Sequence, residues 1–538
     1  MKHTKILLIG LTSLLSLGFL TGCSSSVEEY DPSGRMILKL KNVYFDTWDG
    51  TDRYTEMLNE KFNVKIEPSN YEYNNWDEAV NIAINGNNLT DAIQFNLKSY
   101  NYGSTYERWI KDDMIKALPD DMSKWPNLDR MLKMVSNLDE LKKYDGHLYG
   151  IPILNDMSNP NKDFSNFTYV YRRDIAKQID ADNAKVPGYV PIYKEGDVYT
   201  WDEFNRLVAA FKTYAGKQKE KIYPIADEEC YFPSITNFYK DAPHCFTKDE
   251  NGKAINNFTC DKYIEGLEKS KEYVEKLYYS PDQFNYTPNK AKEIYRGGLA
   301  LILYENFSFA NYIQFRKDFK KTNKYVNLDD GTALLKVMGP DGKFALEGTE
   351  NWFSITMFNS EISQEKLEKI LDILDYLLTE EGTRLAIYGK EGYDYNIVNG
   401  EVQLTEQGWE KIPETGEWAP KVNGAKYLRY MATLGNDTKP YDPFTEQTAF
   451  QIIDAWSKEM QQAKAEDKLR IIKEPADISW MSTSTKNDRN KSCLDDANLF
   501  AAQYAFGTLA SIDAYKAKFA EIVYWQRMLD EINAKLGK

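Results

Sequence analysis

The residues of this chain best suited to hold a ligand are a tryptophan and two aspartates that follow the first apolar segment. Trp48 stands between Asp46 and Asp49, directly after the segment 36–45. An indole ring can stack on the face of a sugar or on a peptide side chain, and carboxylates accept hydrogen bonds from hydroxyl groups. Asn96 follows a later apolar segment in the same way. We expect these four residues to contact a ligand, with the alternative that Trp48 is a buried core ring.

Motifs for enzymatic chemistry are missing from the sequence. It has no Gly-x-Ser-x-Gly elbow, no His-Glu-x-x-His and no phosphate loop, and only His147 and His244 follow the first few residues. We therefore expect a protein that is not an enzyme and has no catalytic residue. A glycoside hydrolase needs only two carboxylates about 5 to 9 Å apart, and the 82 acidic residues leave that alternative open.

Metal and cofactor sites are not predicted either. Asp249, Asn251 and Gly252 are similar to part of a calcium-binding loop, but Phe258 stands where such a loop requires glutamate. We interpret this segment as a turn, and we expect no metal and no cofactor.

The cysteines do not form a zinc pattern. Cys230, Cys245 and Cys260 are spaced fifteen residues apart, without a Cys-x-x-Cys pair or a nearby histidine. Together with Cys493 they allow three disulfide pairings, and the spacing selects none of them.

The elements that position these residues begin after a leader. Lys2 and Lys5 precede an apolar run over 6–20, and Leu20-Thr21-Gly22-Cys23 is followed by three serines. The pattern is typical of a secretion signal, and its end is similar to a bacterial lipobox. It predicts a signal peptide over 1–22, lipid on Cys23 and a tether over 23–35. The alternative is an ordinary signal peptide with a chance cysteine.

Apolar periodicity after the tether alternates between strand and helix. Apolar segments at 36–45, 64–66 and 91–95 are separated by helical patterns over 54–62 and 76–84. This order predicts a parallel sheet with crossover helices, in which ligands bind beyond the carboxyl ends of the strands.

Later segments add further elements. Thr200 and Glu203 form a capping-box pattern, Ser363 precedes an apolar helical stripe over 367–378, and 297–303 reads as a strand. The dense turn residues over 338–343 predict a crossing between lobes, and the last forty residues predict a closing amphipathic helix.

Charge and length exclude several classes of protein. The chain has 538 residues, 67 basic and 82 acidic side chains and a net charge of −15. Such a field repels phosphate, so we expect neither a nucleic-acid partner nor binding to an anionic lipid surface. The length predicts two or more lobes.

Several segments between residues 36 and 400 carry a resemblance through their order and spacing. They are the lipobox, the sequence KKYDGHLYGIP at 142–152, YVYRRD at 169–174, YTWDEF at 199–204, GGLA at 297–300, GPDGK at 339–343, EEGTRL at 380–385 and YGKEGYDY at 388–395. Together they resemble the family 1 extracellular solute-binding lipoproteins of bacterial ABC importers, in the long Gram-positive branch of the maltose-binding-protein-like group. The stretch 185–198 departs from the family, in which a shorter, proline-led segment commonly leads into the following helix.

This resemblance implies a periplasmic-binding-protein-like α/β fold of type II, with two α/β lobes and a ligand cleft between them. We expect lobe 1 to comprise 36–155 and 343–400, and lobe 2 to comprise 156–342 and 401–538. The implied protein is a monomer on the extracellular face of the bacterial cytoplasmic membrane, held only by its lipid. It binds a carbohydrate, expected to be an oligosaccharide, by lobe closure and delivers it to the membrane permease of an ABC transporter.

The resemblance also implies further ligand-facing residues. Tyr231 and Phe232 are similar to the family's aromatic loop, and Glu305 and Asn306 end a strand where the family places ligand contacts. Trp352 and Trp480 are candidates with packing as the alternative, and Tyr171 and Arg173 are candidates with a structural ion pair as the alternative.

Two other functions remain open at this point. An oligopeptide-binding lipoprotein has similar size, anchoring and acidity, although the segments at 145–152 and 381–385 resemble the sugar-binding group. A surface adhesin or pheromone-type receptor without a transporter would use the same fold.

Overall fold

The computed structural model describes most of the chain after the predicted tether begins. The described residues are 29–45, 47–72, 75–86, 88–97, 103–142, 144–227, 233–242, 245–286, 289–411, 418–420, 422–439, 441–442, 446–473, 475 and 493–536. The predicted signal peptide and Cys23 lie outside them.

The strands are numbered in chain order. They are β1 Met36–Lys41, β2 Val64–Ser69, β3 Ala92–Phe95, β4 Ile151–Leu154, β5 Phe167–Tyr171, β6 Val198–Tyr199, β7 Tyr223–Ala226, β8 Phe246–Lys248, β9 Ala254–Asn256, β10 Ala300–Asn306, β11 Ala333–Val337, β12 Phe344–Glu347, β13 Trp352–Phe358, β14 Tyr395–Val398, β15 Glu401–Leu404, β16 Trp409–Lys411, β17 Trp418–Pro420 and β18 Leu469–Ile472.

The α-helices are numbered in the same way. They are α1 Arg53–Phe62, α2 Trp76–Asn85, α3 Gly103–Lys111, α4 Pro126–Leu132, α5 Leu138–Lys142, α6 Arg173–Asn183, α7 Trp201–Ala215, α8 Asp261–Glu275, α9 Lys290–Arg296, α10 Phe309–Thr322, α11 Leu328–Gly331, α12 Gln364–Leu377, α13 Glu380–Tyr388, α14 Gly424–Arg429, α15 Gln447–Ala465, α16 Cys493–Ala505, α17 Ile512–Ala520 and α18 Val523–Leu536. Short 3₁₀ helices span Ser234–Phe238, Asn257–Thr259, Gln283–Asn285 and Asn436–Thr438.

The first lobe is built on the sheet β2-β1-β3-β13-β4. β1 is parallel to β2 and β3, with α1 and α2 as the crossovers, and β13 runs antiparallel to β3 and β4. This confirms the alternation predicted from the apolar periodicity. α12 begins at the predicted cap, where the Ser363 hydroxyl accepts from Lys366 N–H, and it buries its apolar stripe in the core of this lobe.

The second lobe is built on the sheet β6-β11-β5-β10-β7. β5 runs antiparallel to β10 and β11, whereas β7 is parallel to β10. Helix α7 starts with the predicted capping box between Thr200 and Glu203. The chain thus folds into the two α/β lobes of a type II fold.

Three crossing segments lie between the lobes, namely 155–163, 348–351 and, of the residues that the structure describes, 433–439 with 441–442. The first two pair with each other, since Asn155 N–H donates to the Asn351 carbonyl and Thr349 N–H donates to the Asp163 carbonyl. The third begins beside β4, where Leu434 N–H donates to the Leu154 carbonyl.

Two predicted boundaries between the lobes differ from the packing. The turn at 338–343 does not cross between lobes, because β12 after it pairs with β18 in the second lobe and buries Leu346 there. The crossing follows β12. α14, which the predicted boundary placed in lobe 2, buries Ala425 and Leu428 in the core of lobe 1.

The C-terminal helices form an outer layer on the second lobe. α16, α17 and α18 share a hydrophobic cluster with α8 and the hairpin β8-β9. In this region Cys245 is disulfide-bonded and Cys260 is free, so the pairing of these two with each other is excluded. None of the helices in the described residues is both long and apolar enough to span a membrane.

Candidate ligand-binding cleft

The edges of the two sheets that the crossing segments connect define the cleft. In lobe 1 this edge holds the carboxyl ends of β1, β3 and β4 and the start of β13. In lobe 2 it holds the carboxyl ends of β7, β10 and β11 and the start of β5. Residues at these strand ends are therefore the ones that a ligand between the lobes would meet.

Trp48 lies at this edge but is buried. Only 4% of it is exposed, and its Nε1 donates to Asp52 Oδ2 at 2.8 Å and to Thr55 Oγ1 at 3.0 Å. One face of the indole stacks on Tyr427, with 5.7 Å between the ring centroids and 5° between the planes. Trp48 thus supports a neighbouring ring and does not offer a free polar edge of its own.

An aromatic patch forms around that contact from Tyr44, Phe45, Trp48, Tyr427 and Tyr430. Phe45 meets Trp48 edge-on at 4.7 Å, and Tyr44 lies 5.4 Å from Tyr430 between ring centroids. Tyr44, Tyr427 and Tyr430 are half-buried, so part of each residue is exposed to solvent. Half-exposed tyrosine rings can stack on the face of a sugar; the hydroxyl of one of them, Tyr427, lies 2.6 Å from Thr47 Oγ1.

Two of these rings were not predicted from the sequence. Tyr427 and Tyr430 come from α14 and the residue after it, far along the chain from the loop that follows β1. Their spacing of three residues on a short helix, which places them on one face, is the signal that would have indicated them.

The other predicted residues of the lobe 1 edge are polar and accessible. Asp49 is exposed, and its Oδ1 accepts from the Thr51 hydroxyl and the Thr51 N–H, which lower the pKa of the carboxyl. Asn96 is half-buried just after β3. Asp46 lies outside the described residues.

Glu305 and Asn306 end β10 at the lobe 2 edge, as predicted. Glu305 is 3% exposed and forms an ion pair with Lys292 at 3.0 Å, and its Oε1 accepts from Asn306 N–H at 2.8 Å. The Asn306 Oδ1 atom is buried and has no hydrogen-bond partner among the described residues. An unpaired buried acceptor is costly, so this atom is suited to a ligand hydroxyl.

A second group of rings lies next to Asn306. Phe167 stacks on Tyr304 with 5.9 Å between centroids, and the Tyr304 hydroxyl accepts from Asn237 Nδ2 at 2.8 Å. A cavity of about 30 Å³ opens beside them, also lined by Tyr169 and Trp456. It has room for water and not for a sugar ring.

The first crossing segment carries the charged side chains of Asp156 and Lys162. Burial raises the pKa of the Asp156 carboxyl and lowers the pKa of Lys162 to about 8. Lys162 Nζ donates to Asn166 Oδ1 and lies 5.3 Å from the Phe164 ring centroid. Asp156 and Lys162 each form a hydrogen bond to a polar side chain near this crossing segment.

Three other predicted contacts are buried or ion-paired within the protein. Because β5 runs antiparallel to β10, Tyr171 and Arg173 stand at the opposite edge of the sheet from the cleft. Tyr171 is fully buried, and Arg173 forms ion pairs with Asp197 and Asp330 at 2.7 and 2.6 Å, which is the structural alternative. Trp352 begins β13 at the cleft edge but is 6% exposed, and its Nε1 donates to the Ser136 carbonyl.

The remaining aromatic candidates are not placed by the structure. Tyr231, Phe232 and Trp480 lie outside the described residues. The turn at Asp249 connects β8 to β9, and its carboxylate accepts from Asn251 N–H and Lys253 N–H. Within the described residues, no group of three or more metal-ligating side chains comes together.

Comparison with known proteins gives structural neighbours only. No protein-family model matches the chain, and no curated protein matches it in sequence. An extracellular solute-binding protein from Bifidobacterium longum subsp. infantis has a TM-score of 0.59 at 14% identity, covering 94% of this chain and 100% of that one. The alginate-binding protein AlgQ2 has a TM-score of 0.58 at 14% identity, covering 93% and 98%.

A third similar structure is the S. pneumoniae ABC-transporter substrate binding protein FusA in complex with kestose. Its TM-score is 0.54 at 14% identity, covering 93% of this chain and 100% of that one. At such low identity these likenesses show the fold alone; all three neighbours are described as binding proteins, and FusA is described as one of an ABC transporter.

Proposed function

We propose that this chain is a lipid-anchored extracellular substrate-binding protein of an ABC transporter, and that it binds an oligosaccharide in the cleft between its lobes. The observation that carries the proposal is the pairing of an aromatic patch on one cleft edge with an unpaired amide acceptor on the other. Stacking rings bind the faces of sugar rings, and Asn306 and Asp49 accept from their hydroxyl groups.

Binding and closure are one process in this mechanism. A sugar that stacks on Tyr427 and Tyr430 and bonds to Asn306 touches both lobes only when they approach each other. Ligand therefore favours the closed state through contacts that the open state does not have. The three crossing segments are short enough to act as hinges, and the permease would read the closed shape.

The structural neighbours support the carbohydrate class. One of them is named an alginate-binding protein and another is described in complex with kestose. A further neighbour is described as an HMO binding solute-binding protein associated with an ABC transporter. These are properties of proteins at 14–15% identity, so they support the class of ligand and not its identity.

The proposed lipid anchor and membrane partner rest on the signal-peptide pattern at the start of the sequence. The lipobox pattern at 20–23 would place lipid on Cys23 and hold the protein, as a monomer, at the extracellular face of the membrane, where the permease is its partner. We propose no catalytic step, no cofactor and no metal. Lobe 1 would combine 36–154 with 352–432, and lobe 2 would combine 164–347 with 447–538.

The test is calorimetry of the chain from Ser24 onward, which retains all the described residues, against neutral and acidic oligosaccharides and short peptides. We expect saturable binding of a glycan whose concentration does not fall on long incubation. Tyr427→Ala should weaken that binding, and Tyr325→Ala, which removes a fully exposed ring, should not. Peptide binding without any glycan binding would overturn the proposal in favour of an oligopeptide carrier, and loss of intact glycan would indicate a hydrolase.

A further inference from the structure

A small pocket with three cationic side chains lies beside the aromatic patch. Lys426, Arg429 and Tyr430 line it from α14 and its end, and Lys439 and Asp442 line it from the third crossing segment. Its cavity is about 20 Å³, which is the room of a single oxygen-sized group. A sugar ring does not fit, but the tip of a substituent does.

Positive charge exceeds negative charge in this pocket. Lys426 Nζ lies 3.4 Å from Asp442 Oδ2, and Arg429 Nη2 lies 2.8 Å from Asp437 Oδ2. Lys439 has no ion pair with any carboxylate of the described residues. Burial, and after it the nearby Lys426, lower the pKa of Lys439, although the carboxylates of Asp442 and Asp437 act in the opposite direction. A half-buried cation beside a second cation is stabilised by an anion.

Arg429 adds an independent sign of a missing partner. Only 4% of this residue is exposed, and its Nε is buried without a hydrogen-bond partner among the described residues. Asp437 holds the guanidinium in place, and Asp437 Oδ1 is also buried without a hydrogen-bond partner among the described residues. Arg429 is one of the residues that line the pocket. Leaving a charged donor unpaired costs more than leaving a neutral one unpaired, and an oxyanion would supply the acceptor.

We infer that this pocket receives an oxyanion carried by the ligand, so that the oligosaccharide is an acidic one with a carboxylate or a sulfate group. The inference rests on the proposed carbohydrate function. Tyr430 belongs both to the pocket and to the aromatic patch, so a sugar ring stacked on the patch places a substituent at the pocket. One oxygen of the oxyanion then enters the pocket, where Lys426, Lys439 and Arg429 hold it, and Asp442 orients Lys426.

Inorganic sulfate is the simplest probe of the pocket. The melting temperature of the chain from Ser24 onward is measured in sulfate and in chloride of equal ionic strength, because a ligand that binds only the folded state raises it. We expect sulfate to raise the melting temperature of the natural chain and of Lys439→Arg, and to lose at least half of that effect in Lys439→Gln. Lys458→Gln, which removes an exposed lysine on α15, serves as the matched control and should respond as the natural chain does.

Comparison of two glycans distinguishes a pocket that binds free anions from one that binds the acidic group of a sugar. Trigalacturonate and its methyl ester differ only in the charge of their carboxyl groups, so calorimetry of both isolates the contribution of the oxyanion. We expect the acid to bind at least tenfold tighter than the ester, and Lys439→Gln to remove most of that difference. Equal affinities would overturn the acidic-sugar inference, even if sulfate binds through Lys439.

The two proposals fail in different ways. If neutral oligosaccharides bind and neither sulfate nor the acid responds to Lys439→Gln, the pocket inference is wrong and carbohydrate binding stands. If no glycan binds at all, both proposals are overturned.

Discussion

The indole of Trp48 lies flat against the ring of Tyr427, with 5.7 Å between their centroids and 5° between their planes. Trp48 follows the first strand of lobe 1, and Tyr427 belongs to a helix that returns to the same lobe late in the chain. The contact fixes a half-exposed tyrosine at the cleft edge by means of a buried tryptophan. Two substitutions separate these roles.

Tyr427→Ala should weaken ligand binding, and it should also lower stability because the stack on Trp48 is lost. Stacked aromatic contacts contribute about 0.5–1.5 kcal/mol beyond the area they bury, which is about a 2- to 12-fold change in Kd. The measurement is calorimetry with whichever glycan binds the natural chain. Unchanged affinity in this variant would show that the aromatic patch is packing and not a binding surface.

Trp48→Phe should lower stability and leave ligand binding nearly unchanged. The phenyl ring keeps a stacking face but has no N–H donor. Asp52 and Thr55 both accept from Trp48 Nε1 in the natural chain, and both lose that hydrogen bond in the variant. We expect the free energy of unfolding to fall by about 1–3 kcal/mol in denaturant titrations. Trp125→Phe, which removes an indole donor to Asp372 in the same lobe, should behave similarly in stability. If Trp48→Phe lost affinity without losing stability, the indole itself would be a ligand contact.

The sequence predicted the frame of this site better than its details. The alternation of period-2 and period-3.6 apolar patterns from 36 to 95 was sufficient for the first three strands of the first sheet, and it placed Trp48 and Asn96 at the carboxyl ends of β1 and β3. It did not predict that β13 joins this sheet in the antiparallel direction. Tyr427 and Tyr430 were missed because their contact with Trp48 is non-local. Helical spacing gives the face of a helix but not what that face meets.

The direction of β5 explains why Tyr171 and Arg173 do not lie at the cleft edge, where they are expected from the sequence. The apolar run at 167–171 predicts a strand, and the residues after a strand are ligand candidates only if its carboxyl end lies at the cleft. β5 runs antiparallel to its neighbours, so its start lies at the cleft and Tyr171 and Arg173 lie away from it. The apolar pattern of a strand does not carry its direction in a mixed sheet.

Asn306→Ala should reduce affinity and leave stability nearly unchanged. Its Oδ1 has no partner among the described residues, so removing it breaks no hydrogen bond of the protein and removes a buried unpaired acceptor. A lost hydrogen bond to a ligand hydroxyl costs about 0.5–1.5 kcal/mol. Asn311→Ala, which removes a donor to the Asn306 carbonyl at 3.0 Å, is the neighbouring control. Equal affinity of Asn306→Ala and the natural chain would remove this residue from the site.

Asn351→Ala should destabilise the hinge. This residue is 4% exposed; its Oδ1 accepts from the Ser136 N–H and hydroxyl, and its Nδ2 donates to the carbonyls of Met134 and Pro160 at 2.7 Å each. It therefore links lobe 1 to two crossing segments. Its removal orphans several buried groups, and we expect the free energy of unfolding to fall by about 2–4 kcal/mol in denaturant titrations. Asn396→Ala, at an exposed position on β14, should cost far less; equal losses would contradict the hinge role.

Asp227 should make the second lobe less stable as pH rises toward neutrality. It directly follows β7 and is fully buried, and burial raises the pKa of its carboxyl to about 7 against an ordinary 3.8, although Ser234 N–H and the Ser234 hydroxyl donate to it. Between these two values the folded state holds a proton that the unfolded state has lost, so the contribution of this group is fully present below about 4 and is lost as pH rises through about 7. Asp227→Asn, which keeps the shape and cannot ionise, should remove that part of the pH dependence and be more stable than the natural chain at pH 8. Denaturant titrations of both proteins from pH 4 to 8 measure the free energy of unfolding at each pH. If the two proteins showed the same dependence on pH, the Asp227 carboxyl would titrate alike in the folded and unfolded states.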